Sequence, residues 1–120
     1  MSYILFLDDE RDPDQTYPWF ADDPREVVVA RGMRDFHNAL KDRGCPSFIG
    51  FDFYLGFGGN ADNAVYDLMH MYGKSDGVPI DFTYNVHSSS SDGVELITQL
   101  MDDFFKIREK YLLSKEDTTG

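Results

Sequence analysis

Residues Tyr3–Leu7, YILFL, are apolar at every position, and the run ends at Asp8-Asp9-Glu10-Arg11-Asp12. A strand with one wet face alternates polar and apolar residues, whereas a strand that is apolar throughout needs cover on both sides. That demand restricts the fold more than any other feature of the chain. It places Tyr3–Leu7 in the middle of a sheet held between two layers, and such sheets are mostly parallel and alternate with helices.

The rest of the chain supplies the alternation. Asp12 to Pro24 is rich in Asp and Pro and reads as loop. Val27–Ala30 gives a second short strand. Met33, Phe36, Ala39 and Leu40 then recur at helical spacing, with Gly44 as the stop. Phe48–Phe51 is a third apolar run and ends at Asp52; Gly56 to Gly59 reads as a flexible turn. Asn60 is placed to cap a helix whose Ala61, Ala64, Val65, Leu68, Met69 and Tyr72 form one stripe. Ser75 to Pro79 breaks it. From Ile80 to His87 the residues alternate, with Ile80, Phe82, Tyr84 and Val86 on one face. A last helix begins near Ser91, where Asp92 and Glu95 have capping-box spacing. Val94, Ile97, Met101, Phe104 and Tyr111 or Leu112 line its inner side.

This order predicts a compact three-layer α/β/α domain over residues 1–113, with a frayed tail at 114–120. Four parallel strands are expected. The first and third, apolar throughout, belong at the centre, and the alternating fourth belongs at an edge. A spatial order 2-1-3-4 satisfies both demands, and the sheet should end after the fourth strand–helix unit.

Composition removes several functions. The net charge of −11, from 22 acids and 11 bases, has the wrong sign for nonspecific binding to duplex DNA. The acid excess serves solubility; a surface that mimics nucleic acid is the sharper alternative. Cys45 is the one cysteine, so no disulfide forms within the chain, and a lone thiol suits a reducing cytoplasm. The first ten residues lack the basic start of a secretory signal. No apolar run approaches the ~20 residues that span a bilayer. The expectation is a cytoplasmic protein with no membrane contact.

The acids mark the place to look for chemistry. In sheets of this kind ligands sit beyond the carboxyl ends of the strands, where the strand order switches. With order 2-1-3-4 that point lies between strands one and three, which end at Asp8-Asp9 and at Asp52. Carboxylates crowded in a crevice repel one another, and a hard divalent cation offsets the repulsion. Asp8, Asp9 and Asp52 are therefore the candidate ligands of Mg²⁺ or Mn²⁺, which take oxygen donors and keep some waters. Arg11 either neutralises its acidic neighbours or clamps a phosphate. Arg31, at the end of strand two, reads as a structural partner. His87 either fills a polar edge position or moves a proton, and Ser88 adds a hydroxyl. Together these groups suit a phosphate-bearing ligand. His37 and His70 read as surface residues, Cys45 has no base partner, and the GFGG at 56–59 lacks dinucleotide-fingerprint spacing.

The stretches ILFLDDERDP, VVVAR, FDFYLG and VHSSSSDG, within residues 3 to 100, resemble the cyclic-phosphate processing receiver family of bacteria and phages. The resemblance implies a receiver-like fold and a metal-dependent action on cyclic phosphate ends, with RNA 2′,3′-cyclic phosphates as substrates. It puts the metal on Asp8, Asp9 and Asp52, Arg11 on the phosphate, and His87 and Ser88 on the reacting group. The third strand departs from the family pattern Asp-His-Asp-Leu-Gly, because this chain reads Asp52-Phe53-Tyr54-Leu55-Gly56. If ring opening takes two histidines, one is missing. An ordinary phosphoacceptor receiver, with Asp52 as nucleophile, would also need a fifth strand ending in lysine, for which no sequence remains. The alternative is a catalytically degenerate module that contacts a protein partner. Tyr17, Trp19 and Phe20 would then serve as anchors, or else pack over the missing first helix.

Overall fold

The computed structural model describes residues 2–53, 55 and 60–118, with side chains through Lys115. Tyr54 and the turn expected at Gly56 to Gly59 lie outside the described residues. The sheet has four parallel strands in the order β2-β1-β3-β4. They are β1 (Ile4–Leu7), β2 (Val27–Ala30), β3 (Phe48–Phe51) and β4 (Thr83–Val86). Both strands that are apolar throughout are central, and the alternating one is at an edge.

The period of two along β1 and β3 divides their side chains between two cores. Leu5, Leu7, Ile49 and Phe51 face α2 (Met33–Arg43), α3 (Asp62–Tyr72) and α4 (Ser91–Thr118), and pack with Phe36, Leu40, Val65, Leu68, Ile97, Met101 and Phe104. Ile4, Phe6 and Phe48 face the other way and meet Tyr17 and Phe20. The second layer is thin. It consists of α1 (Pro13–Thr16) and a 3-10 turn at Pro18–Asp22, where the sequence reads as loop. Each short piece starts on a proline, at a helix position where the missing N–H costs nothing. Tyr17 and Phe20 thus do pack where a longer helix would lie. Among the described residues no helix is long and apolar enough to cross a membrane.

Four local expectations are corrected. The strand expected from Ile80 begins at Thr83, because Thr83 pairs with Phe48, the first residue of β3, so Ile80 has no strand beside it and is fully exposed. Asn60 does not cap α3; Ala61 precedes that helix, its N–H donating to the Phe53 carbonyl at 2.9 Å. Ser90, not Asp92, caps α4, its Oγ accepting from the Gly93 N–H at 3.1 Å. The frayed tail expected from Ser114 is helical through Thr118. The Tyr111 hydroxyl and the Lys115 ammonium both donate to Asp76 Oδ1, and this ties the last turns to the loop before β4. Gly44 does stop α2, at a positive φ of 85°.

One glycine decides how close the second layer sits. A Cβ on Gly50 would lie 2.7 Å from Tyr17 Cε2. The Tyr17 ring therefore rests directly on β3 only because residue 50 has no side chain. Gly50→Ala is expected to lower the unfolding free energy by about 1–3 kcal/mol through overpacking, read by urea denaturation.

Candidate metal centre

The parallel ladder sets the site. The N–H of Asp8 donates to Ala30 O, that of Asp52 to Leu7 O, and that of His87 to Phe51 O, at 3.1, 2.9 and 2.8 Å. The ends of β1, β3 and β4 are thereby stepped side by side, each delivering its next side chain to one crevice. Asp8, Asp9 and Asp52 each bring a carboxylate oxygen there, all within 4.8 Å of one another. Asp8 and Asp52 are buried, at 1% and 7% exposure. A donor set made only of carboxylate oxygens is the kind that hard divalent cations take.

The two buried acids have opposite electrostatics. Burial alone raises the pKa of Asp8, but N–H donors from Arg11 and Glu10, both 2.9 Å from Oδ1, and the His87 ring outweigh it and hold the carboxyl below its usual range. Asp52 is pushed up to about 6, first by burial and then by the charge of Asp8, with Arg11 opposing. Arg11 is the cluster's own cation. Its Nη1 lies 3.2 Å from Asp8 Oδ2, 3.6 Å from Asp52 Oδ1 and 3.4 Å from the His87 carbonyl. Arg31 braces the loop that carries these groups. It donates to the carbonyls of Asp8 (3.2 Å) and Arg11 (2.7 Å) and pairs with Asp12.

The His87 side chain is buried, at 7% exposure, and lies flat on Phe6 with ring centroids 5.0 Å apart. Its Nε2 is 3.0 Å from Asp8 Oδ2 and its Nδ1 is 2.7 Å from the Tyr17 hydroxyl. Burial lowers its pKa, against the pull of Asp8. Both ring nitrogens are therefore engaged inside the protein. Ser88 Oγ accepts from the Ser90 N–H at 3.2 Å. Arg11, Gln15, Thr16, His87, Ser88 and Ser89 line an open cleft of about 500 Å³ beside the acids.

Two features of this region have no local sequence signal. Tyr17 reaches His87 across 70 positions of sequence, and Gln15 and Thr16 join the cleft only because α1 curls back. Phe53 is buried and packs against the start of α4. A Cβ on Gly93 would lie 2.5 Å from its ring. Three residues set aside on sequence grounds sit away from the crevice. Cys45 is buried, with its thiol pushed up to about 12 by desolvation. His37 pairs with Asp67 at the surface, and His70 is exposed.

Asp52 makes the sign of one pH dependence explicit. Its folded pKa of about 6 exceeds an unfolded value of about 3.9. Between those values the folded chain holds more protons than the unfolded one, so this group's contribution to stability falls as pH rises through the window and remains a cost above it. Without metal, Asp52→Asn is expected to raise stability at neutral pH by about 1–3 kcal/mol and to flatten that slope. Urea denaturation at acidic and neutral pH reads both.

Comparison with known proteins agrees with the architecture. Crystal structures of NtrX from Brucella abortus superpose with a TM-score of 0.54, at 18% identity for the ATP complex, 17% for NtrX alone and 18% for the ADP complex. Each alignment covers 98% of this chain and 29% of the NtrX chain, and at that identity it shows a shared fold. No curated protein matches the sequence. The cyclic-phosphate processing receiver domain matches residues 3–103, which take in the whole sheet and the first part of α4, and the chain belongs to that family.

Proposed function

We propose that the domain is a divalent-metal-dependent site for a phosphate-bearing ligand, with Mg²⁺ or Mn²⁺ held by Asp8, Asp9 and Asp52. One observation carries this reading: three carboxylates converge within 4.8 Å, two of them buried, against the single guanidinium of Arg11. A bound cation would complete the charge balance and polarise a phosphoryl oxygen. The chain's own groups divide the remaining work. Arg11 is 44% exposed at its side chain, so it has room to leave the acids and clamp phosphate from the cleft. Ser88 offers a hydroxyl on the cleft wall. The family's name supports a cyclic phosphate, and the ligand proposed is an RNA 2′,3′-cyclic phosphate end or a small phosphate ester.

A second reading has its own support. His87 spends both ring nitrogens on Asp8 and Tyr17, and Phe53 is part of the core. No second histidine stands at the third strand to serve as partner acid or base. These facts favour binding without turnover, in a degenerate module that acts through a partner. Of the loop aromatics, Tyr17 and Phe20 are buried, so Trp19, 44% exposed, is the anchor available to a protein partner.

Titration calorimetry with Mg²⁺ and Mn²⁺ tests the first reading. Wild type is expected to bind, and Asp52→Asn to lose about tenfold or more in affinity. Arg11→Ala should bind the metal more tightly, having lost a competing cation, yet bind 2′,3′-cyclic nucleotides more weakly. A wild type that binds neither ion would overturn the proposal. Metal and cyclic nucleotide binding without hydrolysis would favour the degenerate module.

A further inference from the structure

We infer that Tyr17 is a positioning residue for the metal site: its hydroxyl fixes the His87 ring so that Nε2–H is presented to Asp8. The inference rests on the metal reading above and extends it to a residue on the opposite layer of the sheet. Asp8 Oδ1 already accepts two backbone N–H groups. Oδ2 is then the oxygen left to meet a cation, and His87 Nε2, 3.0 Å away, sets its orientation.

Hydrogen-bond logic assigns the protons. Nε2 faces a carboxylate oxygen, so it must carry hydrogen in any charge state of the ring. In the neutral ring Nδ1 is then a bare acceptor, buried and 2.7 Å from Tyr17 Oη. The Tyr17 proton goes there, and Asn85 Oδ1, 3.1 Å from the phenol oxygen and its acceptor otherwise, turns to water, since Asn85 is exposed. In the charged ring the direction reverses. Nδ1–H donates to Tyr17, and Tyr17 donates to Asn85. The phenol satisfies Nδ1 either way, so the arrangement does not depend on the ring's protonation.

The tyrosine is itself immobilised. Its ring rests on Gly50 and packs with Phe20 and Phe48 at 4.9 and 5.6 Å between centroids. His87 is stacked on Phe6, so the alternative orientation that restores the stack is the ring turned by half about Cβ–Cγ. That half-turn replaces Nε2 by a carbon at Asp8. With the hydroxyl present it also strands Nδ1, and burying an unpaired nitrogen is costly. Without the hydroxyl nothing at the Nδ1 end opposes the turn. Outer partners of this type commonly govern metal affinity through the orientation of the inner ligand.

Tyr17→Phe keeps the ring and removes only the hydroxyl. Two readouts are taken on wild type and variant: the ¹⁵N signals of His87 at pH about 8, above the ordinary imidazole range, and Mn²⁺ affinity by calorimetry. Wild type should show a single Nε2–H tautomer. The variant should show a mixture and bind Mn²⁺ about threefold to tenfold more weakly. A neutral wild-type ring that carries its hydrogen on Nδ1 overturns the inference, and so does a variant whose nitrogen signals or Mn²⁺ affinity match wild type. The wild-type tautomer is decisive without the variant, should Tyr17→Phe not fold. If wild type binds no metal, the metal reading fails, and the ¹⁵N signals alone still decide whether Tyr17 orders His87.

Discussion

Like charges crowded where water hardly reaches set the terms for this end of the molecule. Asp8 and Asp52 lie at the ends of adjacent strands, and the ladder that holds the sheet together forbids them to separate. The two acids are then treated differently. Asp8 receives two backbone N–H groups, a guanidinium and an imidazole, enough donors to fill a carboxylate's capacity. Asp52 has the more distant Arg11 and a backbone N–H, and its charge is correspondingly disfavoured. One fully supported anion beside one weakly supported anion is an unbalanced arrangement in a closed protein. It is a serviceable one for a cation that arrives from outside.

The peripheral structure can be understood as the support this requires. Arg31 ties the carbonyls of Asp8 and Arg11 to the end of β2, so the acidic loop cannot peel away from its strand. On the far face, a long helix is replaced by two short turns that deliver one aromatic cluster. Tyr17 reaches through that cluster to His87, and His87 reaches Asp8, so the second layer has a direct mechanical link to the site. Gly50 is the condition for this, since any side chain there would lift Tyr17 off the sheet.

How much of this is legible in the sequence depends on the range of the interaction. The strands and their order follow from where apolar runs alternate and where they do not. The convergence of Asp8, Asp9 and Asp52 follows from the strand order, because strand ends at a switch point are neighbours by topology. Local signals failed where two readings were nearly equal. Four consecutive serines leave the start of α4 undetermined to within a residue or two, and the cap fell on Ser90. The alternation that marks β4 continues back through Ile80, but a strand needs a neighbour, and β3 begins only at Phe48. The helical extension to Thr118 depends on Asp76, about 40 residues upstream in a loop, which no local pattern could reveal. The Tyr17–His87 contact is of the same kind. Its distance along the chain is long, and the segment carrying Tyr17 has the composition of a loop.

The position of Arg11 links the two ligands proposed for the site. As long as it neutralises Asp8 and Asp52, its guanidinium is unavailable to phosphate, and it occupies the space a cation would take. With a divalent ion held by Asp8, Asp9 and Asp52, as proposed above, Arg11 would be free to turn to the cleft beside Ser88. Metal and phosphate would then each favour the binding of the other, and the coupling must be equal in both directions. On the proposed function Arg11 would be more than a counterion: it would convert occupancy of the acidic crevice into affinity at the cleft, whether or not the ligand is turned over. The core position of Phe53 bears only on the chemical step, so a member of the family that had lost turnover could retain this coupled recognition intact.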